Sequence, residues 1–129
     1  MSSEEKAPSM SSEEKAKALF ALAIEKKPRK PIAYDLRKIN PLWDFAIFMS
    51  VLSLRQADAV LSVLRRGGRD SRIKLHHAEN GTEGGWVLLD FGDVVVHVFT
   101  EEAREYYALE KIFGTAPTTT FGLKIEELE

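Results

Sequence analysis

Asp90, Asp93 and His97 are the side chains in this 129-residue chain whose types could do chemistry at short range. Paired carboxylates on one strand face can hold two magnesium ions for nucleotidyl transfer. Asp90 and Asp93, however, lie three apart across a turn instead of two apart along a strand, and no Gly-rich phosphate loop precedes either. A Ser/His/Asp triad can be written from Ser53, His97 and Asp90, but no GxSxG elbow places the serine. His76 and His77 are neighbours in an expected strand, so their rings point to opposite faces and cannot share one metal ion. With no cysteine in the chain, thiolate metal sites and thiol nucleophiles are also excluded. Catalysis lacks its hardware, and neither a metal nor a cofactor is expected. The basic run "RRGGRDSR", with Lys74 just beyond, is the one candidate for contact with nucleic acid. Arg65, Arg66 and Arg69 would touch RNA locally, although the helix dipole also favours cations at a helix C-terminus. A net charge of -2 and a pI near 6.0 exclude a general nucleic-acid coat.

The stretch from Trp86 to Phe99, "WVLLDFGDVVVHVF", has the pattern of a hairpin. With Gly92 and Asp93 as a two-residue type II′ turn, Phe91 faces Val94 and the pairing runs back to Trp86 opposite Phe99. Alternation then gathers Val87, Leu89, Phe91, Val94, Val96 and Val98 on a core face. The other face holds Trp86, Leu88, Asp90, Val95, His97 and Phe99, with Asp90 diagonal to His97. Ionisable groups among large aromatics are costly to bury unpaired. Two arrangements fit. Either the last helix folds over this face and Asp90 and His97 satisfy each other beneath it, or the face is a surface that receives a partner. The segment "TEEAREYYALEKIF" offers one apolar stripe, Ala103, Tyr106, Leu109 and Phe113, enough to cover one sheet face. Tyr107 and Glu110 fall on its flank and would extend the Trp86 surface with a phenol and a carboxylate, as interfaces favour.

Holding these residues in place takes a mixed α/β pattern in the order α-β-β-α-β-β-β-α. "MSSEEK" occurs twice, at positions 1–6 and 10–15. In the second copy Ser11 and Glu14 have capping-box spacing, which predicts a helix from about Ser12 to Lys27. Pro8 interrupts the first copy, which has the character of a frayed tail. "IAYDLR" predicts a short strand, and "DFAIFMSVL" a central strand covered on both faces. Ser53 then caps a helix with Ala57, Val60, Leu61 and Leu64 on one side and Gly67 as its C-cap. "RIKLHHA" predicts a further strand ahead of the hairpin. From Gly114 on, the apolar content is too low to pack securely, with only Phe121, Leu123 and Ile125 hinting at docking. The expected organisation is a flexible tail over 1–11, one domain over 12–113 and a C-terminal tail over 114–129, the 44% hydrophobic content sufficing for a core. No apolar run approaches the roughly 20 residues that span a bilayer, and the amino terminus lacks the apolar stretch of a signal peptide. A cytoplasmic protein without membrane contact is expected.

The residues also carry a resemblance. "WVLLDFGDVVVHVFTEEAREYYALEKIFG" resembles the carboxy-terminal half of the ribosomal silencing factor family, also called RsfS or Iojap-like. There a Trp-led strand, an Asp-x-Gly-Asp turn, a Val-rich strand with one His and a Tyr-x-Leu-Glu helix follow in this order. Upstream, "YDLRKINPLWDFAIF" is similar to the family's first strand, loop and Asp-aromatic second strand, with Asp35 and Asp44 at the matching places. Ser53, Arg55 and Gln56 fit its Ser-x-Arg-Gln helix start, and Glu79 fits an acidic loop before the Trp. The resemblance covers about Ala16 to Pro117; Ser50 and Val51 stand where the family usually has Thr-Gly, and Asn80 where it has glycine.

What the resemblance implies is a nucleotidyltransferase-like α/β sandwich, a single-domain mixed β-sheet flanked by helices, without catalytic residues. It also implies a protein that binds the large ribosomal subunit through ribosomal protein fourteen, obstructs joining of the small subunit and lowers translation when nutrients are scarce. A homodimer of the free protein is implied as well. The partner-binding residues are then Trp86, Asp90, Asp93, His97, Tyr107 and Glu110, with Trp86 as anchor and the carboxylates complementing Lys and Arg of a basic ribosomal protein. The alternative, from another class, is a residual nucleotidyltransferase-type enzyme.

Overall fold

Seven consecutive buried residues, Phe45–Val51, form the strand around which the rest is arranged. The computed structural model describes residues 10–81 and 85–125. In chain order the elements are α1 (Ser12–Ile24), β1 (Arg29–Asp35), β2 (Phe45–Val51), α2 (Leu54–Asp70), β3 (His77–Gly81), β4 (Trp86–Asp90), β5 (Val94–Thr100), α3 (Glu101–Tyr107), a 3-10 helix (Leu109–Phe113) and β6 (Thr118–Thr119). They build one six-stranded mixed sheet in the order β3-β4-β5-β2-β1-β6, in which β2 and β5 run parallel and every other pair antiparallel. The expected order holds as far as α3; β6 is an addition.

Strand β2 is apolar except at Ser50 because both of its faces are covered. Phe45, Ile47, Met49 and Val51 meet Ala16, Leu19, Phe20 and Ala23 of α1 and Val60 and Leu64 of α2 in the larger core. Ala46 and Phe48 point the other way, into a second core with Val95, Phe99, Ala103 and Phe113. Strand β5 alternates in step, with Val94, Val96 and Val98 in the larger core. Ser50 and Val51 lie opposite Phe99 and Thr100, and neither takes a positive φ, so the missing Thr-Gly pair leaves no strained turn here.

Helix α1 starts on the expected reciprocal cap. Ser11 Oγ accepts from Glu14 N at 3.0 Å, while Ser11 N donates to Glu14 Oε1 at 2.9 Å. The helix ends at Ile24, short of the expected Lys27, and the chain reverses with Lys27 at φ 56°. The start of α2 is capped by Ser53, whose Oγ accepts from Gln56 N at 3.1 Å. The Gln56 amide donates to the carbonyls of Lys26 and Lys27, tying the end of α1 to the start of α2.

Gly67 does not stop α2, which runs through Gly68 to Asp70 with Ser71 as C-cap. The glycine pair serves packing: a Cβ on Gly67 would lie 2.5 Å from Leu22 Cδ2 of α1, and one on Gly68 3.4 Å from the Ile73 carbonyl oxygen. Close approach of Leu22 to Gly67 and of the Ile73 carbonyl to Gly68 thus accounts for residues that look like punctuation in sequence. The strand expected from "RIKLHHA" is displaced: pairing with β4 begins only at His77 and continues to Gly81, so Glu79 lies in β3 instead of the expected acidic loop.

The expectation of an undocked tail from Gly114 is corrected by the structure, and with it the domain edge at 113. Asp35 N donates to the Pro117 carbonyl at 2.8 Å, Thr118 and Thr119 pair with Tyr34 and Ala33, and Ala116 is buried in the second core. The chain then crosses the sheet margin. Phe121 sets its ring 5.5 Å from Phe20 and 5.9 Å from Phe45, with Leu123 and Ile125 against the same core. One ring placed between α1 and β2 anchors a segment of low average hydropathy. The tail expected over 1–11 falls outside the described residues except at Met10 and Ser11.

Candidate partner-binding face

The hairpin has the expected register: Phe91 N donates to the Val94 carbonyl at 2.9 Å, Trp86 pairs with Phe99, and Gly92 takes φ 98°, as the first residue of a type II′ turn requires. Its second face is a stack of rings. His97 lies nearly parallel to Phe48 at 4.5 Å, Phe48 to Phe99 at 5.9 Å, and Trp86 covers Phe99 at 5.5 Å. The Trp86 indole N–H donates to His97 Nδ1 at 3.2 Å. An indole nitrogen can only donate, so Nδ1 is unprotonated and the neutral ring carries its proton on Nε2. Burial pushes the His97 pKa down to about 4, against the opposing pull of the Glu110 charge.

Asp90 and His97 therefore do not satisfy each other. Asp90 Oδ1 accepts from Gly92 N at 2.8 Å, a local turn that stiffens the hairpin tip. Asp93 sits at the same tip and turns toward α1, where its Oδ1 is 2.7 Å from Lys15 Nζ. The length of β4 separates this acidic tip from Trp86, roughly 13 Å at about 3.3 Å per residue.

The last helix covers part of the face, in two pieces. Thr100 Oγ1 accepts from Ala103 N at 3.0 Å to start α3, and Ala108, at φ 50° and ψ 40°, ends it. Ala103 and Phe113 are buried and Leu109 partly so, as expected. Tyr106 is not: it is 82% exposed. On so short a helix the residue four beyond Ala103 takes the inward flank, and Tyr107 packs at 5.3 Å on Trp86.

Beyond the break, Glu110 receives a two-pronged bond from Arg104, Nε to Oε1 at 2.8 Å and Nη2 to Oε2 at 2.9 Å, and a third from the Tyr34 hydroxyl at 2.7 Å. Burial opposes its ionisation, but these donors prevail and hold the carboxyl below its usual range. Burial, reinforced by Glu110, pushes the Tyr34 phenol up to about 12. Arg104 also donates to Ser50 Oγ at 3.0 Å, which pins the break to β2. Arg104, Tyr34 and Ser50 escaped the sequence reading because Arg104 and Glu110 lie six residues apart across a helix break, where no i,i+4 signal exists.

Of the six expected residues, Trp86, His97, Tyr107 and Glu110 thus come together, and Asp90 and Asp93 lie at the hairpin tip. Trp86 and Tyr107 are the accessible members, Tyr107 being 39% exposed, whereas His97 is 8% exposed and Glu110 is engaged by Arg104. Ser53 uses its hydroxyl for the α2 cap, and His77 pairs with Glu79 at 2.8 Å. Among the described residues no group of three or more His, Asp or Glu could hold a metal ion, and no helix is long and apolar enough to cross a membrane.

What these features define is a mixed α/β domain with one sheet face half-roofed by a bent helix and faced with stacked aromatics. The model of the family described as ribosomal silencing factor during starvation matches residues 9–129. A ribosomal silencing factor RsfS from Halalkalibacterium halodurans is 34% identical over 109 residues, covering 84% of this chain and 93% of that protein. The chloroplastic protein Iojap of Zea mays is 33% identical over 115 residues, which is 84% of this chain and 50% of that longer protein. A crystal structure of a Chromobacterium violaceum protein superposes with a TM-score of 0.77 at 28% identity, over 89% of this chain and 95% of the other. One from Bacillus halodurans does so with a TM-score of 0.66 at 33% identity, over 78% and 92%. The chain belongs to the ribosomal silencing factor family.

Proposed function

We propose that this protein is a cytoplasmic translational silencer that binds the large ribosomal subunit through ribosomal protein fourteen and blocks joining of the small subunit by occupying the space between them. Family membership supports the ribosome as target. The observation that carries the surface is the Trp86–Tyr107 pair, an accessible aromatic anchor on a rigid support. His97, Phe99 and the Arg104–Glu110 clasp hold that pair in place. Asp90 and Asp93 add negative charge at the hairpin tip, where Asp93 can exchange Lys15 for a cation of the partner. Repression is then a matter of mass action.

Co-sedimentation with separated subunits at moderate salt tests this. The wild type is expected to travel with the large subunit alone and to reduce joined ribosomes. Tyr107→Glu, at an exposed position, should weaken binding at least tenfold, the effect of roughly 1.4 kcal/mol at an interface anchor. Undiminished binding by a folded Tyr107→Glu protein would remove the assigned surface. In the free protein the same side is proposed to close a homodimer, an arrangement favoured by Tyr106 and Ile112, which are 82% and 70% exposed. Sedimentation velocity of the wild type and Tyr106→Glu decides it: a dimer lost in the variant supports this closure, and a monomeric wild type refutes it.

A further inference from the structure

On the other side of the sheet the last turns of α2 and the strand-free segment before β3 enclose a hollow of about 440 Å³. Its wall is Arg65, Arg69, Arg72 and Lys74, over a floor of Ile73 and Leu75. Ile73 is 3% exposed and rooted in the larger core, so the segment carrying Arg72 and Lys74 is fixed to the body of the protein. The four cations themselves are exposed.

None of the four side chains has a hydrogen bond or ion pair with any described residue. Elsewhere Lys15, Arg29, Arg37 and Arg104 each face a carboxylate. Four unneutralised charges converging on one hollow, in a chain of net charge -2, form a local positive field against an acidic background. Helix-dipole complementarity accounts for Arg69, in the last turn of α2. It does not reach Arg72 and Lys74, which lie beyond the helix. Arg72 is at φ 64° as the C′ residue of the helix end, where Ile73 N donates to the Gly68 carbonyl at 2.7 Å and Arg72 N to the Arg69 carbonyl at 3.0 Å, and this cap fixes where its side chain leaves the chain.

We propose that this hollow is a phosphate-backbone site for RNA, separate from the Trp86 face and on the opposite side of the sheet. It rests on the ribosomal reading only for where such RNA would be met. Arg65 and Arg69 stand one helical turn apart, about 5–6 Å, a step comparable with that between neighbouring phosphates of one strand. Arginine forks suit phosphate oxygens in two-pronged fashion as they suit carboxylates, and of these two polyanions the ribosomal reading brings RNA to the hollow. The site takes sugar–phosphate backbone and reads no bases. Arg66, named with this cluster in the sequence, is not part of it: Arg66 lines a different hollow with Lys26 and Asp70.

The test uses the full chain and a short fluorescein-labelled RNA hairpin of arbitrary sequence, titrated at several salt concentrations. Four phosphate contacts give a slope of log affinity against log salt of about -3 to -4, or roughly a hundredfold loss between 50 and 200 mM. Arg69→Glu with Arg72→Glu should weaken binding more than tenfold and flatten the slope by about 1.5 to 2, with a melting curve lowered only slightly by the lost dipole contact of Arg69. The milder Arg69→Gln with Arg72→Gln should lie between, and Arg66→Glu should match the wild type. An unchanged slope in both double variants overturns the proposal. So does poly-glutamate that displaces the hairpin at equal charge concentration, since that would assign the hollow to an acidic protein. Large-subunit sedimentation of the same proteins separates the two ideas: hairpin binding without sedimentation keeps the RNA site and sinks the silencer, and the reverse outcome does the opposite.

Discussion

His97 shows how one buried ring links the face to pH. Its pKa is lowered from 6.5 to about 4, so the unfolded chain takes up the proton first. The stability this neutral ring contributes is complete above about pH 6.5 and is lost as pH falls toward 4, amounting to about 2 kcal/mol by pH 5. The carboxyls of Glu110 and Asp35 are shifted down, so their contribution is lost only as pH falls into and below the ordinary carboxylate range, leaving the interval from 6.5 to about 4.5 to the histidine. Urea midpoints should therefore fall between pH 7 and pH 5 in the wild type and stay nearly level in His97→Gln; parallel curves would show that the ring does not stay neutral. Gly85 is a second residue with a definite role. At φ 69° its carbonyl accepts from Thr100 N at 2.9 Å, and a Cβ would lie 2.7 Å from the Thr100 hydroxyl that caps α3. Gly85→Ala combines backbone strain with damage to that cap and should cost about 2 kcal/mol in denaturant unfolding.

At the scale of elements, what could be read in the sequence was whatever periodicity controls. The nearly continuous apolar run of β2, the two-residue turn of the hairpin and its core face, and the capping pairs at Ser11 and Ser53 all follow from local rules, and the structure shows them. The departures arise where a distant partner decides. Gly67 reads locally as a stop, but α1 needs its missing side chain. Tyr106 fits a four-residue stripe that Ala108 cuts short. Arg104 and Glu110 meet only because the helix breaks between them. Residues 116–125 average too polar to pack, yet β6 pairs with β1 and Phe121 sets its ring against both α1 and β2. That contact predicts a large effect from a single site near the chain's end. Phe121→Ala should destabilise by about 2 to 3 kcal/mol, somewhat under the usual figure for a fully buried ring because Phe121 is only partly buried. A loss below about 0.5 kcal/mol in urea unfolding would mean that the segment adds nothing to the core.

For the molecule as a whole, the sheet separates two surfaces of opposite character. The Trp86 side is aromatic and edged with carboxylates, and the Arg69 side is a basic hollow braced by the larger core. Their independence is itself predictable, since well-separated sites with no shared partner add within about 0.5 kcal/mol. The stabilities of Tyr107→Glu and Arg69→Glu should sum in the double variant. The central position of β2 has another consequence. "FAIFMSV" is a seven-residue stretch of high β-propensity with no charge and no proline, the composition from which cross-β aggregates grow. In the native chain β1 and β5 occupy both of its hydrogen-bonding margins, so it is harmless only while those neighbours stay in place. Heating should accordingly end in precipitation before equilibrium is reached, with an apparent Tm that rises with scan rate, and the lifetime of the protein will be governed by how fast β2 is uncovered.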